Sequence, residues 1–186
     1  MLNYDSATGY IVNARQVVSP NCDARPPQCS ISLIVVHGIS LPPGQFGGPG
    51  VDQLFTNKLD PKVHPYFAEI ADARVSAHFL IRRDGELVQY VSALQRAWHA
   101  GHSCYEGRQA CNDFSIGIEL EGEDHTPYTE AQYDQLARLI SALRSGHSHL
   151  ASAPIVGHSD IAPGRKTDPG PAFDWAALDV RLASAV

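Results

Sequence analysis

Ile155-Val156-Gly157-His158-Ser159-Asp160-Ile161-Ala162-Pro163-Gly164-Arg165-Lys166-Thr167-Asp168-Pro169-Gly170-Pro171-Ala172-Phe173-Asp174-Trp175 runs from an apolar strand end into a loop dense with chemistry. Ile155-Val156 reads as the end of a buried strand, and the chain beyond it is too rich in Pro and Gly for helix or regular strand. Pro163, Pro169 and Pro171 each fix a φ angle, so the loop loses little entropy in holding its side chains. It carries His158, Asp160, Arg165, Lys166 and Asp168. A stiff loop at a strand end bearing a His, a Lys and carboxylates is how a site is built, although ordinary solvated loops share the composition.

Upstream, Ser32-Leu33-Ile34-Val35-Val36-His37 is a continuous apolar and β-branched run, the signature of a central strand covered on both faces. It ends in His37-Gly38, which points an imidazole at the sheet's rim. Phe114 to Glu121 reads as a second strand, in which Ile116, Ile118 and Leu120 face one way and Gly117, Glu119 and Glu121 the other. Gly117 predicts open space beside Glu119. Val75–Ile81 and Leu87–Val91 form a hairpin about the Asp84-Gly85 turn signal. Residues 1–30 read as mostly irregular, 51–58 as a short helix, and 60–67 as irregular again. A long loop at 39–66 could move over the site. Thr129–Leu143 is the clearest helix, with Thr129 as N-cap and an apolar stripe of Tyr133, Leu136, Ala137, Ile140 and Leu143. Asp174–Ala185 reads as a C-terminal helix capped by Asp174. These elements define an α/β fold with a central mixed β-sheet flanked by helices, as one domain over residues 1–186.

The 186 residues carry 44% apolar and 18% charged side chains and a formal net charge of -6, an ordinary soluble composition. The 14 Lys and Arg residues are scattered, with no basic run, which argues against a nucleic-acid partner. No secretory signal opens the chain and no apolar run approaches membrane-spanning length, so the reading is cytoplasmic, with no membrane association. Cys22, Cys29, Cys104 and Cys111 lack tight CxxC spacing and read as free thiols.

His37, His158 and Asp168 all fall at strand ends or in the stiff loop. Two imidazoles and one carboxylate make a catalytic zinc set with a position left for water, which zinc acidifies. Glu119 is the candidate proton acceptor and Lys166 the candidate cation for a developing oxyanion. Spacing alone identifies this set weakly, because the ligands are distant in sequence and form no HExxH-type motif. His78 reads as a core or wall residue. His64, His102, His125, His147 and His149 read as solvated. Asp160 and Arg165 read as loop braces.

Val35-Val36-His37, Trp98-His99, Ser115 to Gly122, and Gly157 to Gly170 together resemble the zinc-dependent N-acetylmuramoyl-L-alanine amidases. The branch they resemble is the cytoplasmic AmpD type, which acts on 1,6-anhydro-muropeptides. Leu41-Pro42-Pro43-Gly44-Gln45-Phe46 and Arg74 to Phe79 match the same branch, and the likeness covers about Tyr10 to Trp175. It implies a fold similar to bacteriophage T7 lysozyme and the peptidoglycan-recognition proteins. It implies Zn2+ held by His37, His158 and Asp168, with Glu119 and Lys166 catalytic. It places Tyr66 at the site, Arg74 at a carboxylate of the stem peptide, and Trp98 and His99 beside the sugar or lactyl group. Gly38 stands where relatives often carry a substrate-contacting Asn, and Ala110 where they can carry a second Arg beside the one matched by Arg108. The expected partner is a muropeptide substrate, bound by a monomer that takes part in cell-wall recycling. A binding module that keeps the fold but lacks a metal ligand is the alternative class. A zinc peptidase acting on the stem peptide is a third.

Overall fold

The computed structural model describes residues 2–184. Its two longest strands are the two apolar runs of the sequence, and they lie side by side. In chain order the central sheet contains β1 (Arg15–Gln16), β2 (Leu33–Ile39), β3 (Phe79–Ile81), β4 (Leu87–Gln89), β5 (Ser115–Glu121) and β6 (Ile155–Gly157). They are arranged β6-β2-β5-β3-β4-β1. β2 runs parallel to β5 and β6, and β5 parallel to β3, while β3 and β4 form an antiparallel hairpin. The sheet is therefore mixed, as expected.

Each face of the sheet buries its own set of side chains. Ile34, Val36, Ile116, Ile118 and Leu120 lie in one apolar cluster with the inner residues of α3 (Glu130–Gly146) and Leu178 of α5 (Trp175–Ser184). Thr129 and Gln132 close a capping box at the start of α3, each side chain accepting from the other's backbone N–H. Asp174 accepts from the Ala177 N–H at the start of α5; Ala185, the last residue of the expected helix, lies outside the described residues. A second cluster joins Leu80, Val88 and Tyr90 to Val51, Leu54 and Phe55 of α1 (Gly50–Phe55) and Phe67 of α2 (Pro65–Ile70).

Several segments depart from the sequence reading. β3 begins at Phe79 rather than Val75, because the Ser76 N–H turns aside to the Trp98 carbonyl. The N-terminal residues are less irregular than expected: β1 pairs with β4, and Cys22–Ala24 pairs with Gln95–Ala97. α2 occupies ground expected to be irregular. Pro65 stands in its first turn, and the His64 ring accepts from the Tyr66 N–H. His147, expected to be solvated, is bonded to the Tyr4 hydroxyl. The Pro- and Gly-rich loop contains one helical turn, α4 (His158–Ile161), held at its start by the Gly157 N–H donating to Asp160 Oδ2 at 2.7 Å. All four cysteines are free thiols.

The 39–66 loop is fastened to the sheet at Gly47 and Gly48. Gly47 N–H donates to Glu121 Oε1 at 2.6 Å, and Arg82 reaches the Gly48 carbonyl at 3.0 Å and Glu121 Oε1 at 3.3 Å. Arg82 also pairs with Asp52 of α1, which Arg15 and the Tyr90 hydroxyl share. Glu121 and the Arg82 side chain are nearly inaccessible, so this pair is a buried one. Glu121→Ala would leave the Gly47 and Arg83 backbone N–H groups short of an acceptor and remove one of the three carboxylates around Arg82, which keeps Asp52 and Glu86. Urea unfolding should show a loss of about 1–3 kcal/mol, and a loss below about 0.5 kcal/mol would contradict the fastening.

Candidate active site

The register of the sheet assembles the site. Glu119 is the direct cross-strand partner of His37, so both side chains leave the same face at the carboxyl ends of two parallel strands. Gly157 pairs with Val36, which brings His158, the first residue of α4, to the same rim. The loop then returns, with the Ser159 N–H donating to the Asp168 carbonyl at 3.0 Å. Asp160 and Arg165 brace it from opposite ends. Asp160 accepts from Gly157, and Arg165 donates to the Ala100 and His102 carbonyls.

Three donor atoms meet there. His37 Nδ1 and His158 Nδ1 are 3.0 Å apart, and Asp168 Oδ2 lies 3.1 Å from the latter and 3.3 Å from the former. A tetrahedral zinc ion with bonds near 2.1 Å has ligand-to-ligand edges of about 3.4 Å. The triangle matches that size, and two imidazoles with a carboxylate suit a divalent transition metal, so this group can hold one.

Electrostatics agree with that use. Burial pushes the His37 imidazole down to about 4 and His158 adds to the push, against the pull of the Asp168 carboxylate. Burial works to raise Asp168, but the imidazoles of His158 and His37 beside it outweigh burial and hold the carboxyl well below its usual range. A neutral imidazole and an ionised carboxylate are the forms that ligate metals. Glu119 differs: burial first, then the Asp168 charge, raise its carboxyl well above 4.5, with Lys166 opposing. Its Oε2 is buried and has no hydrogen-bond partner.

These groups form the floor of a cleft of about 730 Å³, a size typical of ligand sites. Leu54, Phe55 and Ile70 give it an apolar wall, and Tyr66, Trp98 and the exposed Lys166 also line it. Gly38 lies on the floor with its N–H 3.4 Å from Asp168 Oδ2. A Cβ at Gly38 would overlap the Tyr128 hydroxyl, which donates to the Pro169 carbonyl at 3.0 Å. Tyr128 has no signal in the sequence beyond its place before a helix cap. Arg74 is exposed beside the cleft's Ala73 and Val75, where it bonds the Ala71 and Ala73 carbonyls. Arg108 lies over the Phe114 ring, 3.7 Å from its centroid.

The space beside Glu119 is not open as Gly117 led one to expect. A Cβ at Gly117 would overlap the His99 ring, which fills that volume. His99 lines the cleft and also sits against His37, with its Nδ1 2.9 Å from His37 Nε2. His78 is a fully buried core residue whose Nδ1 accepts from the Gly117 N–H; burial and the nearby Arg25 lower it to about 3.

The fold and this site define an amidase: the chain belongs to the N-acetylmuramoyl-L-alanine amidase family, whose model matches residues 27–171. Within the family it resembles the AmpD type. It is 62% identical to the 1,6-anhydro-N-acetylmuramyl-L-alanine amidase AmpD of Escherichia coli, over 94% of this chain and 95% of that protein. A crystal structure of a selenomethionine AmpD derivative superposes with a TM-score of 0.93 at 57% identity, covering 97% of this chain and 99% of that one. The Escherichia coli amidase AmiD, in complex with its substrate anhydro-N-acetylmuramic acid-L-Ala-D-gamma-Glu-L-Lys, gives 0.59 at 26% identity, over 84% of this chain and 60% of that one. Among the described residues no helix is long and apolar enough to cross a membrane.

The raised Glu119 carboxyl sets a pH dependence for the metal-free protein. Above the ordinary value of 4.5 the folded state keeps a proton that the unfolded chain has released, so this group costs stability as pH rises. Glu119→Gln should therefore raise the melting temperature of the metal-free protein at pH 7. The advantage should shrink as pH falls through the ordinary carboxylate range. Calorimetry from about pH 3.5 to about pH 7.5 checks this, and a constant difference would count against it.

Proposed function

We propose that this chain, as a single amidase domain over residues 1–186, uses Zn2+ to hydrolyse the amide between 1,6-anhydro-N-acetylmuramic acid and L-alanine of muropeptides. It acts as a cytoplasmic monomer that recycles cell-wall fragments. The observation that carries this reading is the triangle of donor atoms 3.0–3.3 Å apart beside a buried carboxylate with an unpartnered oxygen. Further support comes from the near full-length identity to an enzyme named for the anhydro substrate, and from the anhydro-muropeptide bound to the more distant AmiD.

His37, His158 and Asp168 would hold the ion. When bound, zinc polarises the scissile carbonyl and acidifies the attacking water. Glu119 takes that water's proton and delivers it to the leaving L-alanine amine. A carboxyl held high by burial suits both halves of that transfer. Lys166, at the cleft mouth, sets its ammonium toward the negative charge that develops on the carbonyl oxygen. Trp98, His99, Tyr66 and the bare backbone at Gly38 shape the space for the sugar and lactyl group. Arg74, outside the apolar wall, pairs with a carboxylate of the stem peptide.

The deciding experiment incubates the protein with anhydro and reducing-end muropeptides side by side, with the products read by mass spectrometry. The expected result is free stem peptide and free anhydro-sugar, released faster from the anhydro substrate. No product from either would leave only a binding module, and a cut within the peptide would make the chain a peptidase. Chelation should abolish turnover and added zinc restore it; full activity in metal-free protein would defeat the zinc reading. Lys166→Ala should lower kcat by about 10²-fold or more, the usual loss when one oxyanion donor is removed.

A further inference from the structure

An imidazole ligates through Nδ1 only when its proton is on Nε2, so a site that uses two Nδ1 atoms must control two tautomers. For His158 the control is direct: its Nε2 lies 3.3 Å from the Ala100 carbonyl, which can only accept. For His37 it is indirect. Its Nε2 meets another imidazole, His99, which could accept or donate.

The ambiguity is resolved at the far side of the His99 ring. Ser115 Oγ lies 2.6 Å from the Cys111 carbonyl, and because a carbonyl has no proton to give, the hydroxyl donates. Ser115 Oγ is then left to accept from His99 Nε2, 3.1 Å away. With its proton on Nε2, a neutral His99 has a bare Nδ1. That nitrogen accepts from His37 Nε2 at 2.9 Å, which leaves His37 Nδ1 bare toward His158 and Asp168. Neither ring nitrogen of His99 has a carboxylate partner that would call for a second proton. The ring's place is fixed as well. Gly117, two residues from Ser115 on the same face, lacks the Cβ that would overlap it. The Asn112 side-chain oxygen accepts the backbone N–H groups of His99 and Ala100 at 3.1 and 2.8 Å.

We propose that His99, seated over Gly117 and oriented by Ser115, is a positioning residue that keeps the His37 proton on Nε2 and so turns Nδ1 toward the metal. This rests on the metal reading given above and deepens it.

Long-range 1H–15N correlation spectra of the imidazoles read the tautomers in the metal-free and zinc-loaded protein. His99 should be neutral with its proton on Nε2 in both forms; a proton on His99 Nδ1 in either form overturns the proposal. Zinc affinity, measured by chelator competition on folded variants, is the second readout. His99→Leu should weaken it about 10- to 100-fold. In His99→Asn the amide oxygen can accept from His37 Nε2, so affinity should stay within about threefold of the unaltered protein. A folded His99→Leu that binds zinc as tightly as the unaltered protein overturns the proposal. If His99→Leu does not fold, Ser115→Ala carries the test. Expected are mixed His99 tautomers and weaker zinc binding, and an unchanged tautomer with unchanged affinity overturns the relay. An unaltered protein that takes up no zinc overturns the metal reading itself. The tautomer of His99, which is read without any ion, tells that failure apart from a failure of the relay.

Discussion

His37 stands opposite Glu119 because β2 and β5 pair in parallel in one register. A slip of either strand by one residue would turn its own site residue toward α3 and bring an apolar one to the cleft. What prevents the slip is the other face, where Ile34, Val36, Ile116, Ile118 and Leu120 are buried together under the helices. The packing of the core thus decides where the polar groups emerge. The same alternation delivers Ser115 and Gly117 to the cleft side, one as a hydrogen-bond acceptor and the other as an absence of bulk.

Much of this was legible in the sequence, where the physics is local. Period-two alternation marks the inward and outward sets of β5, Thr129 announces the start of α3, and the apolar run ending at His37 marks the rim. The matching of whole motifs to a family pointed to His37, His158 and Asp168, which no spacing rule could have gathered from so far apart. What stayed hidden depends on contacts between distant segments. Gly117 looked like empty space because nothing nearby in the chain says that the ring of residue 99 will occupy it. The cap made by His64 stayed hidden because a histidine is a rare helix cap, and its bond to Tyr66 arises only once the chain turns there. The fastenings of the 39–66 loop stayed hidden because Arg82 and Glu121 lie outside it, at the ends of sheet strands.

The charge pattern of the site also comes from placement rather than composition. Burial favours the uncharged form of every group it encloses. In Asp168 two imidazoles overrule it, whereas the unpartnered Glu119 yields. Two carboxylates on one floor are thereby separated into an anion and a group able to carry a proton. This division of labour is general among acid–base sites, and here it needs no difference in residue type beyond the partners each side chain meets.

Glu121 lies two residues beyond Glu119 on the same side of the same strand, yet its oxygens already receive Gly47, Arg82 and the Arg83 N–H. A carboxylate so enclosed, buried and absent from the cleft lining, is taken up in fastening the chain around it. It is therefore unsuited to bridge a pair of ions in the manner of dinuclear hydrolases. Under the proposed reaction, any positive charge beside the one ion would then have to be organic, which is the part given there to Lys166, a lining residue of the same cleft.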